Sequence, residues 1–485
     1  MMNEELSTNE YRQQRLENMK KLEAAGFAPF GKAFERTDTL AGLHQSFEAG
    51  KQVSACGRIV AMRKMGKMAF AHLADGSARF QIMVKKDLVG EENFAAFKLL
   101  DIGDHIGVSG ELFLTKTEEE TIRVAEWTLL SKSLLPLPEK FHVLQDVELR
   151  YRQRALDLIS NPDSMDLFKK RIQILREIRR FLDGRGFSEV ETPMLHQIAG
   201  GAAARPFKAH YNALDIDVYM RIAPELFLKR LIVGGMDRVY EMNRNFRNEG
   251  LDRTHNPEFT CLEIYQAFGD MRTMQELIQS LFTHLAQTIF EKMEFEWMGH
   301  TIRLQTPWRE VAYQDLIREH LGENWFELSL EEAVSRAESL GVHIELGMDF
   351  KQVTHEIYDK TIEGTLIQPT FVTRLPAELV PLANPCSDDP ELVDVFELII
   401  GGKEIAPAYS ELNNPIEQRR RFEEQAGGDS SKMDEEFLAA LEYGMPPTGG
   451  MGIGIDRLVM LLTGADAIRD VILFPQLKPR SVEKN

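Results

Sequence analysis

The chain has 485 residues, of which 43% are apolar and 27% are charged, a composition that fits folded domains and excludes an intrinsically disordered protein. Its length predicts two or three domains, each with a core of its own. The 57 basic and 76 acidic side chains give a net charge of −19, which argues against non-specific adhesion to nucleic acid or anionic membrane but allows a local basic patch.

The first residues and the cysteines predict a cytoplasmic protein. The opening sequence MMNEELSTNEYRQQ has early acidic residues and no apolar segment typical of a secretory signal. No apolar stretch approaches the roughly eighteen residues of a membrane-spanning helix. Cys56, Cys261 and Cys386 lie far apart and form no CxxC pair, so neither a disulfide framework nor a thiolate zinc site is predicted.

The first third of the chain predicts a helix followed by a small β domain. Residues 8–26 have apolar side chains near helical spacing, and Gly26 can end that helix. From about residue 53 to 130 the sequence changes to short β-like runs separated by glycines, which predicts a small barrel or sandwich. A proline-containing connector, LLPLPEKFHV at 134–143, ends this region.

The next segment, DLFKKRIQILREIRRFLDGRGFSEVETP, predicts a long helix and then an extended run. Leu167, Ile174 and Ile178 share one helical face, and two glycines end the helix. This apolar face fits a core helix and a subunit-interface helix equally well. Residues 270–365 are predicted to be mostly helical, and MQELIQSLFTHLAQTIFEKM is the clearest case.

A first hairpin is predicted from residues 237–249, DRVYEMNRNFRNE, and from the strand EFTCLEIYQAF that follows GLDRTHNP. Because side chains alternate between the faces of a strand, Arg247 and Glu249 point the same way. The second strand likewise aligns Phe259, Cys261, Glu263 and Tyr265. The alternative is a solvent-exposed hairpin at the edge of a sheet. That alternative does not explain why charged and apolar side chains occur at matching alternate positions of the two strands.

A second hairpin is predicted at residues 394–413, DVFELIIGGKEIAPAYSELN, with two glycines as its turn. If residue 400 pairs with residue 403, Glu397 and Glu404 are diagonal neighbours on one face. Diagonal neighbours lie roughly 7–8 Å apart, so both carboxylates could bind one hard cation. Two unpaired surface glutamates are the alternative. Magnesium bound with a nucleotide phosphate would explain both carboxylates and the nearby arginines.

Three segments resemble the motifs of the class II aminoacyl-tRNA synthetases, and within them the lysine-specific branch. FLDGRGFSEVETPML is similar to the first motif, which forms the dimer interface, NRNFRNEG with THNPEFTCLEIY to the second, and GGMGIGIDRLVMLL to the third. The resemblance runs from about residue 10 to the C-terminus and includes IAGGAAARPF and RIAPELFLKRL. It implies an α+β fold, with an N-terminal OB-fold β-barrel followed by a class II catalytic domain, an antiparallel sheet flanked by helices.

The same resemblance implies domain boundaries and an activity. The activity would be the activation of L-lysine with ATP to lysyl-adenylate and pyrophosphate, followed by transfer of lysine to the 3′ end of tRNA(Lys). A cytoplasmic homodimer that requires Mg²⁺ is implied, with no membrane association. The implied domains are an N-terminal helical extension at 1–50, an OB-fold anticodon-binding domain at 51–135, a linker at 136–148, and a catalytic domain at 149–485 with a mainly helical insertion at about 270–365.

For ATP, the resemblance implies two catalytic arginines. Arg247 would bind the α-phosphate and the carboxylate of the amino acid, and Arg457 would close the nucleotide site. A guanidinium can direct two donors at such oxygens, which an ammonium cannot do. The other implied contacts are Glu249 to the adenine amino group, His255 toward the γ-phosphate, Phe259 stacked on adenine, and Glu397 and Glu404 as magnesium ligands.

For lysine, the resemblance implies a pocket of acceptors, because desolvated ammonium groups must be paired. The implied contacts are Glu225 and the backbone of Gly201 to the α-ammonium, Glu263, Tyr265 and Glu411 around the side-chain ammonium, and Tyr409 against the aliphatic stem. One position departs from the family pattern, which usually has asparagine where this chain has Pro407. Proline has neither an amide side chain nor a backbone donor, so one polar contact to the substrate is not carried over.

For tRNA, the implied contacts lie in the β-rich region. Between residues 55 and 68 there are four basic side chains and no acidic one, although a solvated face could show the same count. With the OB-fold resemblance, Phe70 and Gln81 become candidates for the anticodon, because aromatic faces stack on bases and amides bind their edges. Glu126 is a third candidate.

Two other functions remain open at this point. One is a related enzyme that transfers an activated amino acid to a protein lysine, although such relatives generally lack an anticodon domain. The other is a non-catalytic tRNA-binding or regulatory protein. Retention of Arg247, Arg457 and the pair Glu397 and Glu404 argues against the second, because binding alone needs no cation pair.

Overall fold

The chain divides into two compact units, Met1–Gln145 and Asp146–Asn485. The structure is a computed structural model, and it describes residues 2–137, 144–198, 200–202, 204–427 and 433–479. The division between the units lies within the linker predicted at 136–148. Residues 138–143 of that linker, and with them most of the proline-containing connector, lie outside the described residues.

The N-terminal unit contains a closed five-stranded barrel, which confirms the predicted OB-fold region. Its strands are β1 (Gln52–Met65), β2 (Met68–Ala74), β3 (Arg79–Lys85), β4 (His105–Leu114) and β5 (Glu120–Ser131). Around the barrel the order is β1-β2-β3-β5-β4, and only β3 and β5 among these neighbours run parallel. Alternate residues of β1 and β2 are buried, as the two-residue period of a strand requires.

The helices of this unit are α1 (Met2–Ala24), α2 (Leu40–Gln45), α3 (Lys86–Val89) and α4 (Glu91–Phe97). The helix predicted at 8–26 is thus confirmed, with an earlier start. Arg15 of α1 is buried, and its guanidinium donates to the carbonyls of Ile102 at 2.9 Å, Ser133 at 3.1 Å and Leu135 at 2.8 Å. Charge-assisted bonds to carbonyls on both sides of one planar group fix α1 in position.

The C-terminal unit contains an eight-stranded sheet and two smaller sheets. The strands of this unit are β6 (Ser188–Glu189), β7 (Leu195–His196), β8 (Lys208–Tyr211), β9 (Ile216–Met220), β10 (Arg238–Phe246), β11 (Glu258–Ala267), β12 (Glu294–Trp297), β13 (His300–Arg303), β14 (Arg309–Ala312), β15 (Thr370–Thr373), β16 (Val395–Ile400), β17 (Lys403–Ser410) and β18 (Thr448–Gly454). The large sheet has the order β14-β15-β16-β17-β18-β11-β10-β6, antiparallel except for β14 with β15 and β10 with β6.

Helices flank this sheet, so the expected α+β fold is confirmed. Their bounds are α5 (Val147–Arg152), α6 (Arg154–Ser160), α7 (Pro162–Asp183), α8 (Glu225–Val233), α9 (Met271–Leu285), α10 (Tyr313–Leu321), α11 (Leu330–Ser339), α12 (Phe350–Ile357), α13 (Pro415–Ala426), α14 (Glu435–Glu442), α15 (Ile455–Thr463) and α16 (Ile468–Val471). Short π-helical turns lie at Ala286–Phe290 and Tyr358–Ile362, and 3₁₀ turns at Trp325–Glu327 and Glu363–Thr365. In the described part of the chain, none of the helices has the length and apolarity needed to cross a bilayer.

One face of the large sheet is covered by α7, α9 and α15, which share a single apolar core with it. The predicted face of α7 contributes Ile174 and Ile178, both fully buried. From the sheet, Leu262 and Ile264 of β11 point into the same core. Because side chains alternate along a strand, the residues between them point to the opposite face, where the site is found.

The segment predicted as a mainly helical insertion at 270–365 is more mixed than expected. It contains α9 to α12, but α9 packs into the core of the large sheet. It also contains the β12–β13 hairpin and β14, and β14 is the edge strand of the large sheet. The beginning of this segment and β14 are therefore integral to the large sheet and its core.

The predicted hairpin of β16 and β17 forms, with Gly401 and Gly402 in its turn. Both glycines have positive φ, 61° and 68°, the conformation that this two-residue turn requires. The ladder pairs Ile399 with Glu404 but Leu398 with Ala406, so Ile405 is an extra residue in a β-bulge. The sequence prediction did not include this bulge.

Candidate active site

A cavity of about 450 Å³ opens on the face of the large sheet opposite α7, α9 and α15. Strands β10, β11, β17 and β18 supply most of its lining, together with the start of α8 and the segment between β10 and β11. It brings together every residue expected in the lysine, ATP and magnesium sites: Gly201, Glu225, Arg247, Glu249, His255, Phe259, Glu263, Tyr265, Glu397, Glu404, Tyr409, Glu411 and Arg457.

The bulge in β17 explains how this strand contributes to the cavity. By simple alternation, the even-numbered Glu404 and the odd-numbered Tyr409 would face opposite sides of the sheet. The extra residue Ile405 shifts the alternation by one, so Glu404 and Tyr409 both line the cavity. Pro407 also lines it, directly across the ladder from Glu397. At the position where the family usually has an amide, this chain therefore presents a ring without a donor.

One end of the cavity is formed by buried acidic and phenolic groups. Glu411 and Tyr265 are 1% and 3% exposed, and the Tyr265 hydroxyl donates to Glu263 at 3.1 Å. Gly450 of β18 leaves the necessary space, because a Cβ there would lie 1.8 Å from Oε1 of Glu411 and 2.6 Å from Cε1 of Tyr265. This end of the cavity therefore requires glycine at position 450.

Burial is the main cause of the raised pKa values of these groups. It raises the pKa of Glu263 to about 8, with the negative charge of Glu225 as the next cause. Burial also raises the pKa of Glu411 to about 8, although the Lys229 ammonium opposes the shift. The pKa of Tyr409 lies well above its ordinary value, again through burial and then through the charge of Glu225. A cationic ligand would strongly stabilise the ionised form of these buried carboxyl groups, because it replaces the water that they lose on burial.

Arg247 lies at the middle of the cavity, just after β10. Its backbone NH donates to the carbonyl of Pro257 at 2.8 Å, which continues the pairing beyond the strand. The guanidinium carbon stands 5.2 Å from the centre of the Phe259 ring. Among the described residues, no hydrogen-bond partner is found for the buried Nε of Arg247. A donor held in place without a protein acceptor is suited to an anionic ligand.

Arg457, the first residues of α15 and the loop before β11 form another wall. The Arg457 Nη1 donates to the backbone carbonyl of Glu404 at 2.5 Å, and its Nη2 lies 3.2 Å from Nε2 of His255. The other ring nitrogen of His255 lies 2.7 Å from Asp252 Oδ2. These contacts hold Arg457 and His255 side by side at the edge of the cavity.

Glu397 and Glu404 face the same wall of the cavity, and the carboxylates near them fit a divalent cation. Burial raises the pKa of Glu397 well above its ordinary range, and the nearby charges of Glu404, Glu363 and Asp359 raise it further. A hard cation would relieve this repulsion, and Mg²⁺ typically needs only one or two carboxylates besides waters and substrate phosphates. Within the described ranges, no three His, Cys, Asp or Glu side chains converge as a closed metal cage.

Two family models match the chain. One, described as tRNA synthetases class II (D, K and N), covers residues 146–478, and the other, described as OB-fold nucleic acid binding domain, covers residues 53–130. A lysine–tRNA ligase of Syntrophomonas wolfei subsp. wolfei is 49% identical over 492 aligned residues, which cover 100% of both chains. The chain belongs to the lysine–tRNA ligase family.

Other members of this family show the same extent of similarity. A lysine–tRNA ligase of Thermoanaerobacter pseudethanolicus is 51% identical over 483 residues, 98% of this chain and 97% of the relative. One of Staphylococcus saprophyticus subsp. saprophyticus is 46% identical over 497 residues, 99% of this chain and 100% of the relative. The similarity therefore spans both compact units of the ligase.

The structure adds residues to the ligase site to which the sequence analysis assigned no role. Asn245 is 1% exposed and lines the cavity, and Asp456, which precedes Arg457, accepts from the backbone NH of Thr260 at 2.8 Å. Lys229 is fully buried behind the cavity, between Glu225 and Glu411. Glu225 and Lys229 are four residues apart on α8, a spacing that could have indicated the pair.

In the N-terminal unit of the ligase, two of the three anticodon candidates line one groove of about 840 Å³. Phe70 lines it beside several basic residues, namely Arg63, Lys85, Lys116 and Arg123. Gln81 also lines it, and its Nε2 donates to Thr121 Oγ1 at 2.8 Å, which leaves its carbonyl oxygen and one N–H for a base. Glu126 is exposed on β5 and is not part of this lining.

Proposed function

We infer that this protein is an aminoacyl-tRNA synthetase that attaches lysine to tRNA. The observation that carries this inference is the acidic end of the cavity, where three carboxyl groups, Glu225, Glu263 and Glu411, lie next to the arginine-containing part. Lysine has two ammonium groups and one carboxylate, so its charges complement this arrangement. The side-chain carboxylate of aspartate would face buried carboxyl groups, which is unfavourable, and the side chain of asparagine carries no positive charge to pair with them.

We propose that lysine binds with its two ammonium groups toward the glutamates. Glu225 and the backbone of Gly201 accept from the α-ammonium, and Glu411 with Glu263 accepts from the side-chain ammonium. Tyr265 donates to Glu263 and so orients its carboxylate. The ring of Tyr409, half-buried in β17, packs on the aliphatic stem. Removing one partner of such a buried charge pair typically costs about 3–5 kcal/mol.

We propose that ATP occupies the arginine-containing part of the cavity. Phe259 stacks on the adenine while Glu249 accepts from its amino group. His255 and Arg457 bind the outer phosphates, and the contact between their side chains at 3.2 Å supports this shared role. Arg247 lies between the two substrates, where its guanidinium can bind the lysine carboxylate and the α-phosphate together.

Glu397 and Glu404 are the residues that would hold Mg²⁺. When bound, the cation would neutralise phosphate charge and orient the triphosphate. The fit rests on the two carboxylates at one wall of the cavity, and on the burial and nearby negative charges that raise the pKa of Glu397. Loss of lysine-dependent pyrophosphate exchange on chelation, with recovery on added Mg²⁺, would test this proposal.

The first reaction step follows from this arrangement. A lysine carboxylate oxygen attacks the α-phosphorus of ATP, a new P–O bond forms, and the bond to pyrophosphate breaks. Arg247 positions both reactants and stabilises the charge that builds on the α-phosphate. In the second step the terminal adenosine hydroxyl of tRNA attacks the lysyl carbonyl, and AMP leaves. No side chain of the chain is assigned as a general base.

We propose that tRNA(Lys) binds through the groove of the N-terminal unit, with the bases of the anticodon on Phe70 and near Gln81. Basic side chains around Phe70 would bind the backbone phosphates. A homodimer formed through the segment of α7 and β6 is also proposed, as is a cytoplasmic location, because ATP and tRNA are present there. Analytical ultracentrifugation tests the dimer.

The decisive experiment is ATP–pyrophosphate exchange with each of the amino acids separately, followed by charging of tRNA. Lysine-dependent exchange together with lysyl-tRNA formation is expected. Exchange only with another amino acid would contradict the lysine assignment. Exchange with lysine that leads to a modified protein instead of charged tRNA would point to a protein-modifying relative, and the absence of exchange to a non-catalytic role.

A further inference from the structure

Lys229 of α8 is a buried ammonium that the proposed reaction does not use. Its side chain is 0% exposed, and its Nζ lies 2.7 Å from Oε1 of Glu225 and 2.5 Å from Oε2 of Glu411. These two carboxylates come from different parts of the chain, the first turn of α8 and the residue after β17. Lys229 does not line the cavity but lies behind the two carboxylates that do.

The net charge at this end of the cavity follows from four ionisable side chains. Glu225, Glu263 and Glu411 contribute three negative charges when ionised, and Lys229 contributes one positive charge, which leaves two. The next pair outward, Arg221 with Glu241 at 2.6 Å, is neutral as a pair. Tyr265 and Tyr409, whose phenols face these carboxyl groups, carry no charge near neutral pH because burial raises the pKa of both.

Two negative charges match the two ammonium groups of lysine. Without Lys229, the three carboxyl groups would retain protons to a still higher pH, since like charges in a buried site raise the pKa of one another. The Lys229 ammonium already opposes the upward shift in the pKa of Glu411. Its contact with both carboxylates also fixes the directions in which they point.

We propose that Lys229 is a positioning residue, an internal counter-ion that sets the charge of the lysine pocket and aims Glu225 and Glu411 at the two ammonium groups of the substrate. This proposal rests on the proposed function of the same site. It assigns to α8 a part in amino-acid selection that does not require contact with the substrate.

Lys229→Met tests the proposal, because methionine fills a similar volume without the charge. The expected result is a rise of at least about tenfold in KM for lysine at pH 7, the effect of a shift of one unit in the pKa of a carboxyl partner. The ratio of variant to wild-type KM should fall as pH rises from 6.5 to 8.0, because a carboxyl with a raised pKa regains its charge. KM for ATP should change less than about twofold.

Lys132→Met is the matched control. Lys132 is also 0% exposed and also lies between two carboxylates, Asp101 at 2.5 Å and Asp104 at 2.9 Å, but in the N-terminal unit. It should lower thermal stability without changing KM for lysine in pyrophosphate exchange. An equal rise of KM at every pH in Lys229→Met, with a parallel rise of KM for ATP, would indicate a structural role only and would overturn the proposal.

A double variant keeps the proposal testable if Lys229→Met does not fold. Lys229→Met combined with Glu411→Gln restores two negative charges in the pocket and leaves no unpaired buried cation. Its kcat/KM for lysine should exceed that of Glu411→Gln alone by about tenfold, because the single variant leaves a net charge of −1 in the pocket and the double variant −2. A double variant that uses lysine no better than Glu411→Gln alone would contradict the proposal. Wild-type exchange with lysine must be observed first, and its absence would refute the proposed function instead.

Discussion

At the scale of single residues, strand alternation accounts for most of what could be predicted. Glu263 and Tyr265 follow from the parity of β11, because that strand runs without a bulge through all its pairs. Lys229 could not be found in this way, because it lies on a helix, where only its spacing of four residues from Glu225 indicates a pair. Gly450 is one of several glycines in its segment, and the need for glycine at this position becomes clear only from the position of Glu411 in the folded protein.

Gly450→Ala should impair lysine use more than ATP use. A Cβ at this position would overlap Oε1 of Glu411, at 1.8 Å, and must displace it. We expect a rise of at least about tenfold in KM for lysine, equal to about 1.4 kcal/mol of lost binding, measured in pyrophosphate exchange. Gly452→Ala is the comparison, because a Cβ there meets only Cγ of Glu263, at 3.9 Å. Equal effects of the two substitutions would contradict this prediction.

The acidic end of the cavity also predicts how lysine binding depends on pH. The carboxyl groups of Glu263 and Glu411 have pKa values raised to about 8, so in the empty cavity they retain protons below that pH and lose them above it. Lysine needs the ionised carboxylates, and KM for lysine should therefore fall by about tenfold from pH 6.5 to pH 8.0. A constant or rising KM over this range would show that these groups are already ionised.

At the scale of secondary-structure elements, periodicity predicted α1 and α7 well, because each presents a regular pattern over many residues. The bulge at Ile405 could not be predicted, since nothing in KEIAPAYS marks an extra residue. The segment at 270–365, predicted as a mainly helical insertion, is less uniformly helical than expected, because β14 is only four residues long, too short to give an alternating pattern. Its role depends on pairing with β15, a contact distant in the sequence.

Helix α7 is linked directly to the arginine-containing part of the cavity, the proposed ATP site. Arg171 of α7 donates to Asp456 Oδ1 at 2.6 Å and to Thr260 Oγ1 at 3.2 Å. Asp456 precedes Arg457, and Thr260 follows Phe259, so one guanidinium supports both proposed contacts to the nucleotide. The helix that carries the proposed dimer contacts thus also supports the proposed ATP site.

Arg171→Met should raise KM for ATP by at least about tenfold, because it leaves the buried carboxylate of Asp456 without its cation, and should affect KM for lysine less. Both constants can be measured by pyrophosphate exchange. The control is Arg180→Met on the same helix, where the side chain is 70% exposed and pairs only with Glu177. Similar changes in the two variants would argue against the link.

At the scale of the whole molecule, the pattern changes after residue 50 from helical spacing to short β-like runs. This change was enough to predict two units. The alternation of short β runs and glycines corresponds to the barrel, and the connector rich in proline lies close to the division. The position of Glu126 could not be inferred in the same way, because membership in a groove depends on how the closed barrel curves.

In the proposed function, the N-terminal unit binds tRNA and the C-terminal unit activates lysine. Substitutions should therefore be able to impair one of these activities without the other. Arg63→Glu, in the groove beside Phe70, should raise KM for tRNA by about tenfold and reduce the dependence of charging on salt. Exchange of pyrophosphate with lysine should remain at the wild-type level. Arg79→Glu, exposed on β3 but outside the groove lining, should leave charging unchanged. Equal losses of exchange and charging in Arg63→Glu would refute the assignment of the groove to tRNA.

The bonds of Arg15 also determine an order of events during synthesis. Helix α1 precedes the barrel in the chain, and the carbonyls of Ser133 and Leu135 follow Arg15 118 and 120 residues later. During synthesis these bonds of Arg15 can therefore form only after the last strand of the barrel. The docking of α1 through Arg15 follows the synthesis of the whole barrel.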